Sequence, residues 1–201
     1  MEPVRRIVDG RRADTVQRLL DAAIEEIRAV AFHELSVRSV AKRADVSPAT
    51  AYTYFSSKEH LVSSVVWARL QALPPARASS DDPDSADLAD TVRGIARVFS
   101  EEPELSRACT TALLADDAEV RRLRDQIGKE IADRLAAALG TLPRTAANAI
   151  TMSFVGGMLL AGVGYLAFDD LADRLTEIAA AVTPGAPAPA KRANRTSQKR
   201  R

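Results

Sequence analysis

Apolar side chains recur at three- and four-residue intervals along almost the whole chain, a rhythm that restricts it to helices packed on helices. Val16, Leu19, Leu20, Ala23, Ile24, Ile27 and Ala31 make one stripe of about four helical turns. Val37, Val40, Ala41 and Ala44 repeat the spacing over a short second helix that Ser36 can cap. The pattern returns in Leu88, Thr91, Val92, Ile95 and Phe99, in Leu105, Ala108, Cys109, Ala112 and Leu113, and in Val120, Leu123, Ile127, Ile131 and Leu135. Leu171, Leu175, Ile178 and Val182 close the series. Composition agrees: Ala, the best helix former, supplies 37 of 201 residues, and Phe, Tyr and Trp together supply nine, too few to furnish sheets. The expected fold class is all-α, with about nine helices.

Breaker residues divide this series. Asp45 tolerates a left-handed turn, Ser47-Pro48 reads as N-cap and first residue of a third helix, and Ser56 to Glu59 offers a capping box for a fourth. Pro74-Pro75 ends that helix, and the Pro-, Ser- and Asp-rich stretch 74–84 reads as a mobile connection. Residues 13–73 are expected to form one domain and 85–183 a second, between a flexible basic arm at 1–12 and a disordered basic tail at 184–201. Charge follows the same division: residues 1–70 carry +2, 71–183 carry −7 and 184–201 carry +6. An acidic middle between positive ends places any polyanion at the ends.

Several function classes lose their chemistry. One cysteine, Cys109, excludes an internal disulfide framework, and with two histidines it cannot complete a common zinc cage, so neither metal nor cofactor is expected. The first residues lack an apolar signal core, which points to the reducing cytoplasm. Thr145 to Phe168 runs 24 positions without a charge, long enough for a membrane span. It holds Asn148, Ser153, two Thr and four Gly between charged amphipathic segments, so the expectation is a buried helix of a soluble protein, with no membrane partner.

Residues 36–54 read as helix, tight turn and second short helix, the layout in which one helix braces on the DNA backbone and the other enters the major groove. Any helical bundle also contains short helices joined by turns, so the outward residues decide. In Pro48-Ala49-Thr50-Ala51-Tyr52-Thr53-Tyr54-Phe55, Ala51 and Phe55 stand four apart and can face inward together. Tyr52, Thr53 and Tyr54 then lie at or near the surface, where hydroxyls suit phosphate oxygens and methyls suit thymine.

These residues resemble the TetR/AcrR family of one-component transcriptional regulators. The likeness covers roughly residues 13–65: Ala22-Ala23 and Phe32, the run Ser36 to Ser47, Pro48 to Phe55, then Ser57-Lys58-Glu59 and Leu61. It implies that Arg38 contacts base or backbone, that Pro48, Ala49, Thr50 and Thr53 face base edges, and that Ser36, Ser47, Tyr52, Tyr54 and Lys58 meet phosphates. Departures stand at Asp45 and Ala31, where the family usually has Gly, and at Glu26-Ile27, where it usually has Leu-Phe. Arg5, Arg6, Arg11 and Arg12 either reach an adjacent groove or form a solvated arm, and the tail is expected to be solvated.

The resemblance further implies a helical effector and dimerisation domain, with helices at about 144–168 and 170–182 building a homodimer interface. Gly156, Gly157, Ala161, Gly162 and Gly164 would allow close helix approach. An effector cavity would be lined by Trp67, Phe99, Cys109, Leu113, Met152, Phe154, Met158 and Tyr165, which suits an apolar or amphipathic small molecule. The expected function is a homodimeric repressor that reads a palindromic double-stranded operator and is released by that effector. Alternatives are an effectorless or protein-controlled regulator of the same fold, a sequence-neutral DNA-coating protein, and an enzyme using the second-domain cavity. The enzyme is disfavoured because His33 and His60 both fall in the DNA-binding region and Cys109 has no histidine near it in sequence.

Overall fold

A computed structural model describes residues 3–75, 87–140 and 142–182. Among them are nine α-helices and no strand: α1 (Pro3–Ala29), α2 (Val37–Arg43), α3 (Pro48–Tyr54), α4 (Lys58–Ala72), α5 (Asp87–Ser100), α6 (Pro103–Ala112), α7 (Ala118–Leu139), α8 (Arg144–Gly162) and α9 (Phe168–Val182). The expected connection beyond Pro75 and the basic tail at 184–201 lie outside the described residues.

Helices α1 to α4, the first unit, share a core that continues into the other five helices. Leu19, Ala23 and Ile27 of α1, Val37, Val40 and Ala41 of α2, Ala51 of α3 and Leu61, Val62 and Val65 of α4 are all buried, along the faces their spacing predicts. α1 differs from expectation at both ends. It begins at Pro3, so the backbone of the basic arm continues the helix, and it stops at Ala29, leaving Ala31 exposed in the following loop. Pro3 suits a first helical turn, and Gly10 is tolerated inside a helix at modest cost, so nothing before Ala13 breaks it. The fourth helix starts one residue later than predicted: Ser57, not Ser56, is the N-cap, its hydroxyl accepting the His60 N–H at 3.0 Å.

α5 to α9 form the second unit, in which α9 packs on both α5 and α8, while α4 packs against α6 and α7 to join the halves. Arg134 of α7 donates to the carbonyls of Leu70, Leu73 and Pro74, so a guanidinium caps the C-terminal end of α4. The long uncharged segment does not remain one helix. After Gly162 the chain closes a Schellman turn: Gly164 adopts φ 84°, its N–H donates to Ala161, and the Tyr165 N–H donates to Leu160.

Burial of α8 also departs from expectation. Ala146, Ile150, Phe154 and Ala161 are buried, while Met152, Val155, Leu159 and Leu160 are exposed, so the later turns of the helix carry an uncovered apolar side. The glycines are not equivalent. A side chain at Gly157 would press on Leu171 of α9, whereas Gly156 faces open space.

These packing differences have a measurable consequence. Gly157→Val should lower stability by about 1–3 kcal/mol through overpacking against Leu171. Gly128→Ala, on an exposed stretch of α7 with nothing near a new Cβ, should raise it by up to about 1 kcal/mol. Urea unfolding of the two variants should move the midpoint in opposite directions.

Candidate nucleic-acid interface

The two short helices are fixed by local chemistry that begins at Ser36. Its hydroxyl accepts the Ser39 N–H at 3.0 Å, and the Ser39 hydroxyl accepts the Ser36 N–H in return, a reciprocal capping box at the start of α2. The turn after α2 passes through Asp45 at φ 52°, the left-handed conformation its sequence position requires, and the Val46 N–H returns to the Ala41 carbonyl at 2.9 Å. Ser47 then caps α3, accepting the Thr50 N–H at 3.1 Å, with Pro48 in the first helical position.

Two contacts that sequence reading missed hold this turn against α1. The guanidinium of Arg18 donates to the carbonyls of Ala44 at 2.5 Å and Asp45 at 2.8 Å. Arg43, at the end of α2, pairs with the almost fully buried Glu26 at 2.6 Å. Glu26 is one of the departures from the family pattern, and Arg43 is the cation that makes a carboxylate tolerable there. Neither partner is visible from periodicity, because both reach across different helices.

The outer surface of α3 is formed by Pro48, Ala49, Thr50, Tyr52 and Thr53, all exposed, over the buried Ala51 and Phe55. Its hydroxyls are partly engaged within the helix: Thr53 donates to the Ala49 carbonyl at 3.0 Å, and Ser47 and Thr50 share a hydrogen bond at 2.8 Å. The face therefore offers methyl groups, the proline ring and acceptor lone pairs, with the Tyr52 hydroxyl as an additional donor. Arg38 and Lys42 stand exposed on α2 beside it, the latter a cation the resemblance does not single out.

Tyr54 and Lys58 are placed differently from the other candidates. Tyr54 is half-buried and packs against the core. The Lys58 ammonium donates to the carbonyls of Phe32 at 2.8 Å and His33 at 3.3 Å and sits 4.6 Å from the Phe32 ring centroid. It closes the α1–α2 loop onto α4, an intrachain engagement that the expected phosphate contact does not include. His60 packs edge-on to Phe55, with ring centroids 5.7 Å apart, and its Nδ1 accepts the Ser56 N–H. Burial pushes its pKa below the ordinary histidine value, against the opposing pull of Glu119 and Asp117.

The residues expected to line an effector cavity differ widely in burial. Phe154, Cys109 and Phe99 are buried in packed core, Trp67, Leu113 and Met158 are half-buried, and Met152 and Tyr165 are among the most exposed side chains. Burial also raises the Cys109 thiol to about 12, leaving it protonated at neutral pH. An open cleft of about 500 Å³ lies between α6 and the end of α8, lined by Ser106, Arg107, Thr110, Gly162, Val163 and Phe168 among others. None of the eight predicted residues lines it. Apolar identity marks side chains that fill space, and a cleft forms where they fail to.

Comparison with known proteins agrees with this geometry. Residues 19–65 match the family model described as bacterial regulatory proteins, tetR family. An HTH-type transcriptional regulator of Mycobacterium bovis is 39% identical over 183 residues, covering 89% of this chain and 85% of that protein. The HTH-type transcriptional repressor KstR of Rhodococcus jostii is 30% identical over 122 residues, covering 60% of this chain and 57% of the repressor. A TetR transcriptional regulator from Rhodococcus sp. RHA1 superposes with a TM-score of 0.64 at 20% identity, over 82% of this chain and 94% of its own. The SmeT–triclosan complex superposes at 0.58 and 18% identity, over 89% and 100%.

The turn and its neighbouring histidine each yield an expected outcome. Asp45→Val should lower stability by about 1–2 kcal/mol, because a β-branched residue resists the left-handed conformation, while Asp45→Gly should leave it near the parent value in chemical denaturation. For His60 the folded state resists protonation, so its contribution is complete above the unfolded value of about 6.5 and is lost as pH falls through the lower folded value. The urea midpoint should therefore fall between about pH 7.5 and 5.5, and His60→Gln should make that fall shallower.

Proposed function

This chain belongs to the TetR family of bacterial transcriptional regulators, and on that premise we propose that it is a homodimeric repressor that reads a palindromic operator with α3 and releases it on binding an amphipathic small molecule. The observation that carries the DNA-reading part is the outward face of α3: five consecutive-turn residues exposed over an anchored Ala51 and Phe55, with the cations of Arg38 and Lys42 alongside. In this reading Pro48, Ala49, Thr50 and Thr53 meet base edges largely through methyl and apolar contact. Ser36, Ser47 and Tyr52 approach phosphates, and Arg38 reaches base or backbone. Tyr54 and Lys58 contribute by holding the loop and helix in place as much as by touching DNA.

The apolar face of α8 supports the dimer. Met152, Val155, Leu159, Leu160, Val163 and Tyr165 expose large hydrophobic side chains that a monomer would present to water at a cost. A two-fold copy of the same surface would cover them, with Gly156 allowing close approach. Two copies of α3 then address successive major grooves, roughly 35 Å apart. α8 is the one helix among the described residues with the length and composition of a membrane span, and we read its open face as protein-covered in a cytoplasmic protein.

The cleft between α6 and α8 supports an effector. Its wall mixes the hydroxyls of Ser106 and Thr110 and the Arg107 cation with Val163 and Phe168. That mixture favours an amphipathic molecule over a purely apolar one. No catalytic role is assigned to this region in our reading.

The test is a selection from random duplex DNA followed by anisotropy titration of the selected site. Arg38→Ala should weaken binding and, if it meets a phosphate, reduce the salt slope by about one contact. Tyr52→Phe should weaken binding without changing site preference. Leu159→Glu should yield monomers in sedimentation velocity with a matching loss of DNA affinity. A chain that stays monomeric, or selects no sequence at low salt, would falsify this reading.

A further inference from the structure

Glu102 lies between α5 and α6, and its carboxylate is nearly buried, with 10% of the side chain exposed. Two guanidinium groups from the first unit converge on it. Arg28, in the last turn of α1, donates through Nε to Oε2 at 2.8 Å and pairs through its terminal nitrogen with Oε1. Arg69, in the last turn of α4, reaches the same Oε1 at 3.2 Å and also donates to the Val98 carbonyl. A single carboxylate of the second unit thus holds the C-terminal ends of both long helices of the first.

The position of Glu102 in its own helix makes the arrangement more specific. It is the N-cap residue of α6, yet its side chain makes no capping hydrogen bond. An N-cap side chain ordinarily serves the N–H groups of the second or third helical residue, here Glu104 or Leu105. Glu102 instead turns away toward the arginines, which hold its carboxyl below the usual carboxylate range despite burial. The same group therefore has two available sets of donors: the arginines of the first unit, and the free N–H groups at the start of α6.

We propose that Glu102 is a positioning residue for DNA binding: its carboxylate, shared by Arg28 and Arg69, fixes the angle at which the second unit holds the first, and with it α3. Released from the arginines, the carboxylate turns back to cap α6, and the two units lose their fixed orientation. The proposal rests on α3 being the DNA-reading helix, and it adds a residue outside that helix on which the reading depends. Arg28 is more than half exposed and Arg69 about a quarter, so Arg69 is the arm less screened by salt.

Hydrogen exchange on the full chain, with and without Glu102→Gln, tests this independently of DNA. Loss of the charge should raise exchange about fivefold or more in segments 28–35 and 66–73, the size of a typical intersite coupling, with little change in α7 and α9. Arg69→Met should do the same, and the double variant should add little to either single one. In parallel, duplexes carrying the selected site with its half-site spacing lengthened or shortened by one base pair should be bound more evenly by Glu102→Gln than by the parent chain. Unchanged exchange in both segments, uniform exchange gains throughout the chain, fully additive variants, or raised exchange with unaltered spacing preference would each overturn the proposal. If the parent chain selects no duplex, the DNA-reading assignment fails with α3, and the exchange arm alone decides whether Glu102 fixes the two units.

Discussion

A helix of seven residues has too few internal hydrogen bonds to persist in water, so everything attributed to α3 depends on how it is seated. Its inner face contributes the buried Ala51 and the half-buried Tyr54, with the buried Phe55 just beyond its end, against a core supplied by α1, α2 and α4. The small alanine lets the α3 backbone lie close to that core, and the phenylalanine acts as an anchor where the helix stops. Seating Ala51 and Phe55 inward, with Tyr54 half-buried beside them, leaves the other five residues facing outward, which is why such a short segment can present so many exposed side chains. Precision comes from the frame: Ser36 and Ser47 fix where each helix begins, Asp45 fixes the turn between them, and Arg18 ties that turn to α1.

How much of this was legible in the sequence follows from the range of each interaction. Features set by neighbours within four residues were readable: the apolar stripes, the Ser47-Pro48 start, the left-handed Asp45 and the inward pairing of Ala51 with Phe55. Ser57 displaced Ser56 as the cap of α4 because adjacent serines offer the same chemistry, and only the backbone path chooses between them. Interactions between helices were not readable. Arg18, Arg43, Arg134 and the Arg28–Glu102–Arg69 cluster use long side chains whose targets lie from 17 to 74 residues away. A charge on a helix says only that its end avoids the apolar face.

The α6–α8 cleft is not legible in the sequence for a related reason. Of the large apolar residues expected to line a cavity, Phe154 and Cys109 fill the core, while Met152 and Tyr165 stand in the open. The observed cleft depends on where α8 ends, and that end is set by the left-handed Gly164 and its Schellman hydrogen bonds. An uncharged run of residues carries no mark of the residue at which it will turn. Nor does it distinguish a helix buried by its own chain from one with a face left for a partner, since both exclude charge for the same solvation reason.

Glu26 and Glu102 together show how this chain places charge in its joints. Both carboxylates are almost wholly buried, and both are paired with arginines from other helices: Arg43 for the one, Arg28 and Arg69 for the other. A buried ion pair contributes little net stability compared with well-packed apolar residues, because desolvation offsets most of the attraction. Removing one partner is costly, however, since the other is then left uncompensated. Such a pair therefore discriminates between arrangements more than it strengthens any one of them. Glu26 selects the angle of α2 against α1, and with it the placement of the turn. Glu102 selects the angle of α1 and α4 against α6. Apolar packing along the same helices would tolerate small slides and rotations, whereas a shared carboxylate does not. Glu102 adjoins Pro103, which lines the α6–α8 cleft, and Glu26 seats α2, which leads through the Asp45 turn into α3.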